Sequence, residues 1–332
     1  VTDASAPSGE AFRQIDDLAC GTGFAPTAIV EGVRALQEAV GRSEPVCRRT
    51  ASALLAKPDA RIVLFTGFVV PERYPRGEND GPLGTVALAR ALRRLGRRCE
   101  IRVDPEILET VRWLAAELGV DVHVEPIDPA DPVEPGSFDV AVAVEKPGAN
   151  SLGVMHTFDG HRIVGGSRPI DAIFDAFRLA GKTTIGLGDQ GNEVGFGLLG
   201  DVLGTMHPAL RSCACGCGGG IAAATPAQYL YPAAVSNWGC YAIVAALALQ
   251  TQTASLLLEP AEERRMLHVC AIRGCCDGIR RRGAYGIDGL AGSASVGLVG
   301  ALHDLVIRHL ASGESRTPVR DPIESGNEAL RE

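Results

Sequence analysis

Three segments of this chain set acids beside glycines. They are "ENDGPLG" with Glu78, Asp80 and Gly81, "EKPG" with Glu145 and Lys146, and "GLGDQGNEVGFG" with Asp189, Asn192 and Glu193. Each follows an apolar run: "RIVLFTGF" (61–68), "FDVAVAVE" (138–145) and "TTIGLG" (183–188). Carboxylates brought together repel, and burying one unpaired is costly. Such a cluster is tolerated if it binds a hard cation or holds protons for chemistry. An oxygen-only ligand set suits Mg²⁺, Mn²⁺ or Ca²⁺ rather than zinc. Asp80, Glu145, Asp189 and Glu193 are therefore the candidate metal ligands, and Glu145, Asp189 and Glu193 the candidate catalytic carboxylates. Any one Asp-Gly taken singly is equally ordinary turn chemistry. Five glycines within 186–197 point to backbone packed against a ligand. Asp189 inside that loop would repel a pyrophosphate, which argues against a dinucleotide site.

The elements that must position these acids follow from periodicity. The apolar runs, with "CEIRVD" (99–104) and "VDVHVE" (120–125), read as strands. Between and around them, 26–42, 44–58, 83–96, 105–119, 169–181 and 236–250 carry helical patterns, with two more helices toward the C-terminus. Apolar strands alternating with helices predict an α/β fold: a mostly parallel sheet with helices on both faces and the active site at the carboxyl ends of the strands. The expected organisation is an N-terminal helical segment (1–59), an α/β catalytic domain (60–311) and a polar tail (312–332).

Composition narrows the function classes. The chain has 332 residues, 46% of them hydrophobic, enough for a large core. A net charge of −8 argues against a nucleic-acid surface. "YAIVAALAL" (241–249) is too short to span a bilayer and reads as a buried helix, so no membrane partner is expected. Ten scattered cysteines fit a reduced, cytoplasmic protein. A homo-oligomer is left open.

Four motifs, "TGF…ENDGPLGTVALARAL", "VEKPGANSLGVMHTFDGHRI", "GLGDQGNEVGFG" and "AVSNWGCYA", occur in the order and spacing of the D-glutamate cyclase-like family. The chain resembles that family over roughly residues 60–290. The resemblance implies an α/β enzyme that closes D-glutamate to 5-oxo-D-proline with loss of water. It places the family's motif positions on Asp80 and Gly81, on Glu145 to Gly148, on Gly188 to Glu193 and on Ser236 to Gly239. Lys146 stands where the family has Arg, Leu152 where it has Asp, and Gln190 where it has Gly. The change at Leu152 removes a charge that could ligate metal or orient substrate.

With that resemblance the expected function is a divalent-metal-dependent (Mn²⁺ or Mg²⁺) carbon–oxygen lyase acting on glutamate or a related amino dicarboxylate. Asp80, Asp189 and Glu193 are assigned to the metal, and Glu145 is the candidate base. Lys146, Asn192, Ser236, Asn237 and Gly81 are expected around the substrate. His156 is a candidate proton carrier, with a structural role as the alternative. The other readings are a metal-dependent phosphohydrolase and a non-catalytic metal- or metabolite-binding homologue. "CACGCGGG" (213–220) has its cysteines closer together than usual zinc spacing and reads as a mobile glycine-rich loop rather than a metal site. The Asp-Gly pairs at 277–278 and 288–289 read as turns.

Overall fold

The structure, a computed structural model, describes residues 9–41, 43–281 and 283–314. In chain order, α1 (Gly9–Ala19), α2 (Thr27–Val40) and α3 (Val46–Leu55) precede β1 (Arg61–Thr66). Then come α4 (Pro82–Arg94), β2 (Arg98–Val103), α5 (Leu108–Glu117), β3 (His123–Pro126), β4 (Val140–Val144), α6 (Asp171–Leu179) and β5 (Thr183–Gly188). The chain continues through α7 (Asp201–Met206), β6 (Tyr229–Pro232), α8 (Ser236–Thr251), α9 (Pro260–Arg273), the short pair β7 (Gly286–Ile287) and β8 (Leu290–Ala291), and α10 (Gly292–Glu314).

Strands β1 to β6 form one sheet in the order β3-β2-β1-β4-β5-β6, all parallel. This is the expected α/β architecture. The order reverses between β1 and β4, and at such a switch point the loops leaving neighbouring strands part on opposite sides and open a crevice. Side chains along β1 alternate between two cores. Ile62 and Leu64 enter the large cluster with α4 and α8, whereas Val63 and Phe65 meet Phe174 and Phe177 of α6. β4 splits likewise, with Val140, Val142 and Val144 on one face and Ala141 and Ala143 on the other. Both faces are covered, which is why these strands are apolar throughout rather than alternating.

The thicker layer is organised by α8. Every residue from Ser236 to Leu249 is buried, as expected of a helix that is apolar all round. Helices α1, α3, α4 and α10 pack around it. The N-terminal helices therefore share the main core with the sheet.

Five elements have no counterpart in the sequence-based assignment: α1, α7, β6, β7 and β8. Helix α1 carries Phe12, Ile15 and Ala19 on one face against the core. β6 is four residues long and ends on Pro232, and so brief a strand has no measurable periodicity. Residues 312–314 extend α10, and the rest of the expected polar tail lies outside the described residues. Among the described residues one stretch, Gly292–Ser312 in α10, is long and apolar enough by length and composition to cross a membrane. It packs along α8 and α9.

Candidate active site

The loop leaving β1 returns under α8. The first residues of α8 have no side-chain cap of their own, and Asp80 supplies one from a distant loop. Its Oδ2 accepts the Ser236 N–H at 2.8 Å, and its Oδ1 accepts the Asn237 N–H at 2.8 Å and the Gly81 N–H at 2.9 Å. The arrangement is reciprocal, because Asn237 Oδ1 accepts the Gly84 N–H of α4 at 2.7 Å. Helix α8 is thus capped from the loop before α4, and α4 by a side chain of α8, and Asp80 gains the favourable end of a helix dipole.

Glu145 closes β4 in a left-handed backbone conformation, φ 47°, a strained choice for a residue with a Cβ. Its Oε2 accepts the Ser236 hydroxyl at 2.5 Å. Gly81 makes the approach possible: a Cβ there would stand 2.8 Å from the Cβ of Glu145 and 2.6 Å from Thr66 Oγ1. Asp189 follows β5, and Gln190 Nε2 donates to its Oδ2 at 2.8 Å. Oxygens of Asp80, Glu145 and Asp189 all lie within 4.8 Å of one another. Three strand ends have converged, and the set they form is one that could hold a hard divalent cation.

The cleft over this trio is lined by Phe68, Tyr74, Glu78, Glu145, Phe158, Asp189, Gln190, Asn192, Gly278, Ile279 and Asp288, which leave a cavity of about 20 Å³. That is room for about one water, so a larger ligand would enter only if lining side chains move. No Lys or Arg is among these lining residues, so the acids meet no compensating charge there. Burial, then repulsion from Glu193, Asp189, Asp80 and Glu78, pushes the Glu145 carboxyl well above its ordinary range. Burial and the neighbouring acids do the same to Glu78, Asp189 and Asp288. Burial lifts Asp80 too, only to about 6, because the three N–H donors and a bond with Asp288 oppose it.

Several expectations are revised by these contacts. Glu193 is wholly buried and turned into its own loop. Its carboxylate accepts the N–H groups of Asp189, Gln190 and Gly191 at 3.4, 3.0 and 2.8 Å. It shapes the loop that presents Asp189 and stands outside the ligand trio. Lys146, expected at the substrate carboxylate, is fully buried with its Nζ 2.6 Å from Asp104 Oδ2 and 3.1 Å from the Gly67 carbonyl. Its charge is spent on joining the ends of β2 and β4.

Ser236 and Asn237 orient Glu145 and cap α4 rather than offering free donors. Asn192 does line the cleft. Its Nδ2 donates to the His156 carbonyl at 2.9 Å, leaving a buried Oδ1 without a partner. His156 itself, the candidate proton carrier, lies outside the lining residues, with Nε2 3.1 Å from Cys215 Sγ. Leu152 is 59% exposed on a turn closed by Asn150 and does not line the cleft, so the missing charge there is missing from the surface.

Two acids were overlooked. Glu78 is named among the acids of its segment but given no role by the sequence, yet it is buried in the cleft wall. Asp288 was read as turn chemistry. It occupies the β7–β8 turn with φ 45°, and that turn delivers it to the same cleft, beside Asp80. Its neighbour in pattern, Asp277, is turn chemistry: its carboxylate accepts the N–H groups of Ile279, Arg280 and Gly289. The available signal for Asp288 was a strained non-glycine between two short strands, which sequence alone does not display.

A family model described as "D-glutamate cyclase-like, C-terminal" matches residues 27–303. The chain belongs to the D-glutamate cyclase-like family. It is 32% identical over 226 residues to the human protein named "D-glutamate cyclase, mitochondrial". That alignment covers 59% of this chain and 34% of the human protein, so the chain spans about a third of the length of the curated relative it matches. Within the cyclase-like match fall all three strand ends, the β7–β8 turn and the Asp80–α8 cap.

Proposed function

We propose that the cleft is the active site of a divalent-metal-dependent lyase that cyclises glutamate or a related amino dicarboxylate to a five-membered lactam. One observation carries the reading. In a member of the cyclase-like family, carboxylates from three strand ends come within 4.8 Å in a cleft with no lining Lys or Arg. Asp80, Glu145 and Asp189 would hold the cation, Mg²⁺ or Mn²⁺ by donor type. When bound, the cation would supply Lewis acidity and neutralise negative charge.

The reaction itself is a proton-balanced condensation. The substrate amine attacks the carbon of its distal carboxylate, a C–N bond forms and a C–O bond breaks. Two ammonium protons leave with one carboxylate oxygen as water. The residues do the rest. The acidic cleft attracts the substrate ammonium, and the unpartnered Oδ1 of Asn192 is an acceptor in its wall. Glu78 and Asp288, the lining carboxylates outside the trio, take the ammonium proton and return it to the departing oxygen. Ser236 fixes the orientation of Glu145.

The experiment is direct. The purified chain is given D- and L-glutamate and close analogues with Mn²⁺ or Mg²⁺, and loss of water is followed by mass spectrometry. A lactam product that requires the cation supports the reading. If no amino dicarboxylate loses water while a phosphate ester releases phosphate, the phosphohydrolase reading replaces it.

A further inference from the structure

A second cluster of ligand-type side chains lies outside the acidic cleft. We propose that His156, Cys213, Cys215 and Cys217 form a separate centre for a soft or borderline divalent cation, with zinc the best fit. This centre clips the 207–220 loop to the segment after β4.

The donor set is the first argument. Three cysteine sulfurs and one imidazole nitrogen are a structural-zinc ligand set, whereas hard cations prefer oxygen. All four donor atoms lie within 4.8 Å of one another. Cys213 Sγ is 3.4 Å from both Cys215 Sγ and Cys217 Sγ, and His156 Nε2 is 3.1 Å from Cys215 Sγ and 3.9 Å from Cys217 Sγ. A tetrahedral ion with Zn–S near 2.3 Å and Zn–N near 2.05 Å holds its sulfurs about 3.8 Å apart and its nitrogen about 3.6 Å from each sulfur. The two nitrogen–sulfur distances fall on either side of the tetrahedral value, and the two sulfur–sulfur distances are about 0.4 Å shorter than it. All three cysteines are free thiols.

The outer shell is the second argument. Asn150 Nδ2 and the Gly219 N–H each donate to Cys217 Sγ at 3.4 Å. Donors of this kind stabilise and orient a metal-bound thiolate. Gly219 is needed for the approach, since a Cβ there would stand 2.5 Å from Asn150 Nδ2. Asn150 also donates to the Gly220 carbonyl at 2.7 Å.

The loop itself is the third. "CACGCGGG" offers almost no apolar surface, and Gly216, Gly218 and Gly220 adopt positive φ. A segment this glycine-rich loses much entropy on ordering, and the four ligands supply the interaction that offsets it. The glycines also explain the tight C-x-C-x-C spacing, because they let alternate residues turn toward one another. Binding is redox-neutral: Zn²⁺ replaces three thiol protons, and neutral His156 contributes the Nε2 lone pair.

The centre would also brace the cleft. The His156 carbonyl receives Asn192 Nδ2, and Phe158, two residues on, lines the acidic site. A hard-cation site and a soft-cation site would then share one wall, while this proposal stands independently of which substrate the cleft takes.

The test uses the intact chain. Metal analysis of protein purified without chelator should find one zinc per chain, lost in Cys213→Ser/Cys217→Ser and kept in Asp80→Asn. Apo protein titrated with Co²⁺ should show the intense visible bands of tetrahedral cobalt–thiolate, abolished by added zinc. Because the double variant could misfold, thiol alkylation of the wild type provides a second readout: zinc should protect Cys213, Cys215 and Cys217, and chelation should expose them. Failure of apo wild type to bind zinc or give cobalt–thiolate bands overturns the proposal. A disulfide among residues 213–217 in freshly purified, zinc-free protein overturns it as well.

Discussion

The acidic cleft and the cysteine loop gather ligand-type side chains by opposite means. In the cleft, Asp80, Glu145 and Asp189 are mounted on the ends of a six-stranded sheet and on the N-terminus of a buried helix. The scaffold holds the acids together although they repel, and it shows in carboxyls pushed above their ordinary range. The cysteine loop has no such scaffold. Its thiols are uncharged when protonated and carry no repulsion, yet little besides the ligands themselves fixes a chain of glycines. The cleft has stored the cost of its cluster in the fold, whereas the loop would recover order when an ion arrives. Strain at a site is therefore a property of what supports it, not of ligand number.

The largest effect that could break this contrast is at Asp189. Asp189→Asn should lower turnover about 100-fold or more, while the ion-free protein keeps or gains stability because a repelling charge is gone. Steady-state kinetics beside thermal melts would show it. A variant that retains activity, or that unfolds, would mean the cleft is structural rather than strained for function.

Next in size is the buried pair of Lys146 and Asp104. Lys146→Met should cost about 3–5 kcal/mol by denaturant unfolding, since it leaves a buried carboxylate alone. Adding Asp104→Asn should recover part of that loss. A loss of less than a third of that would return Lys146 to the substrate.

Cation and pH should act on the cleft together. The Asp80 carboxyl is raised from 3.8 to about 6 in the folded state, so folding favours its protonated form. Its contribution to stability is complete below the unfolded value and lost as pH rises through about 6. Ion-free protein should thus lose stability across that window. Mn²⁺ or Mg²⁺ at 100 times its dissociation constant should restore about 2.7 kcal/mol, more at pH 7 than at pH 5, where protons compete. Equal stabilisation at both pH values would separate the cation from these acids.

Gly81→Ala is a smaller and more local perturbation. The position needs φ 93° and the added methyl meets Glu145 and Thr66, so a loss of about 1–3 kcal/mol is expected, with weakened cation binding. Unchanged cation affinity would show that Glu145 can move without leaving the site. Smallest of all, Leu152→Asp should change stability by no more than about 0.5 kcal/mol, as at other exposed positions, and leave substrate preference alone. A shift toward D-glutamate would place the 150–153 turn over the cleft during turnover.

Much of the cleft was legible in the chain because its signals are local. Runs such as "RIVLFT" and "VAVAV" are apolar throughout only where both sheet faces are covered, and parallel strands must present their following residues at one end. That logic groups Asp80, Glu145, Asp189 and Glu193, and the structure brings the first three within reach of one another and turns Glu193 into its own loop. Their glycine neighbours announced close approaches, and Gly81 makes one of them.

What only tertiary structure decided are the contacts between residues far apart in sequence. Asp288 reaches Asp80 across some two hundred residues through a turn of two-residue strands, too short to carry a pattern. Lys146 chose Asp104, and His156 chose the cysteines of the 213–217 stretch, because the path of the backbone put those partners nearest. A side chain's type fixes what chemistry it can offer. Which chemistry it performs depends on the neighbour it meets, and that neighbour is set by the packing of the whole chain.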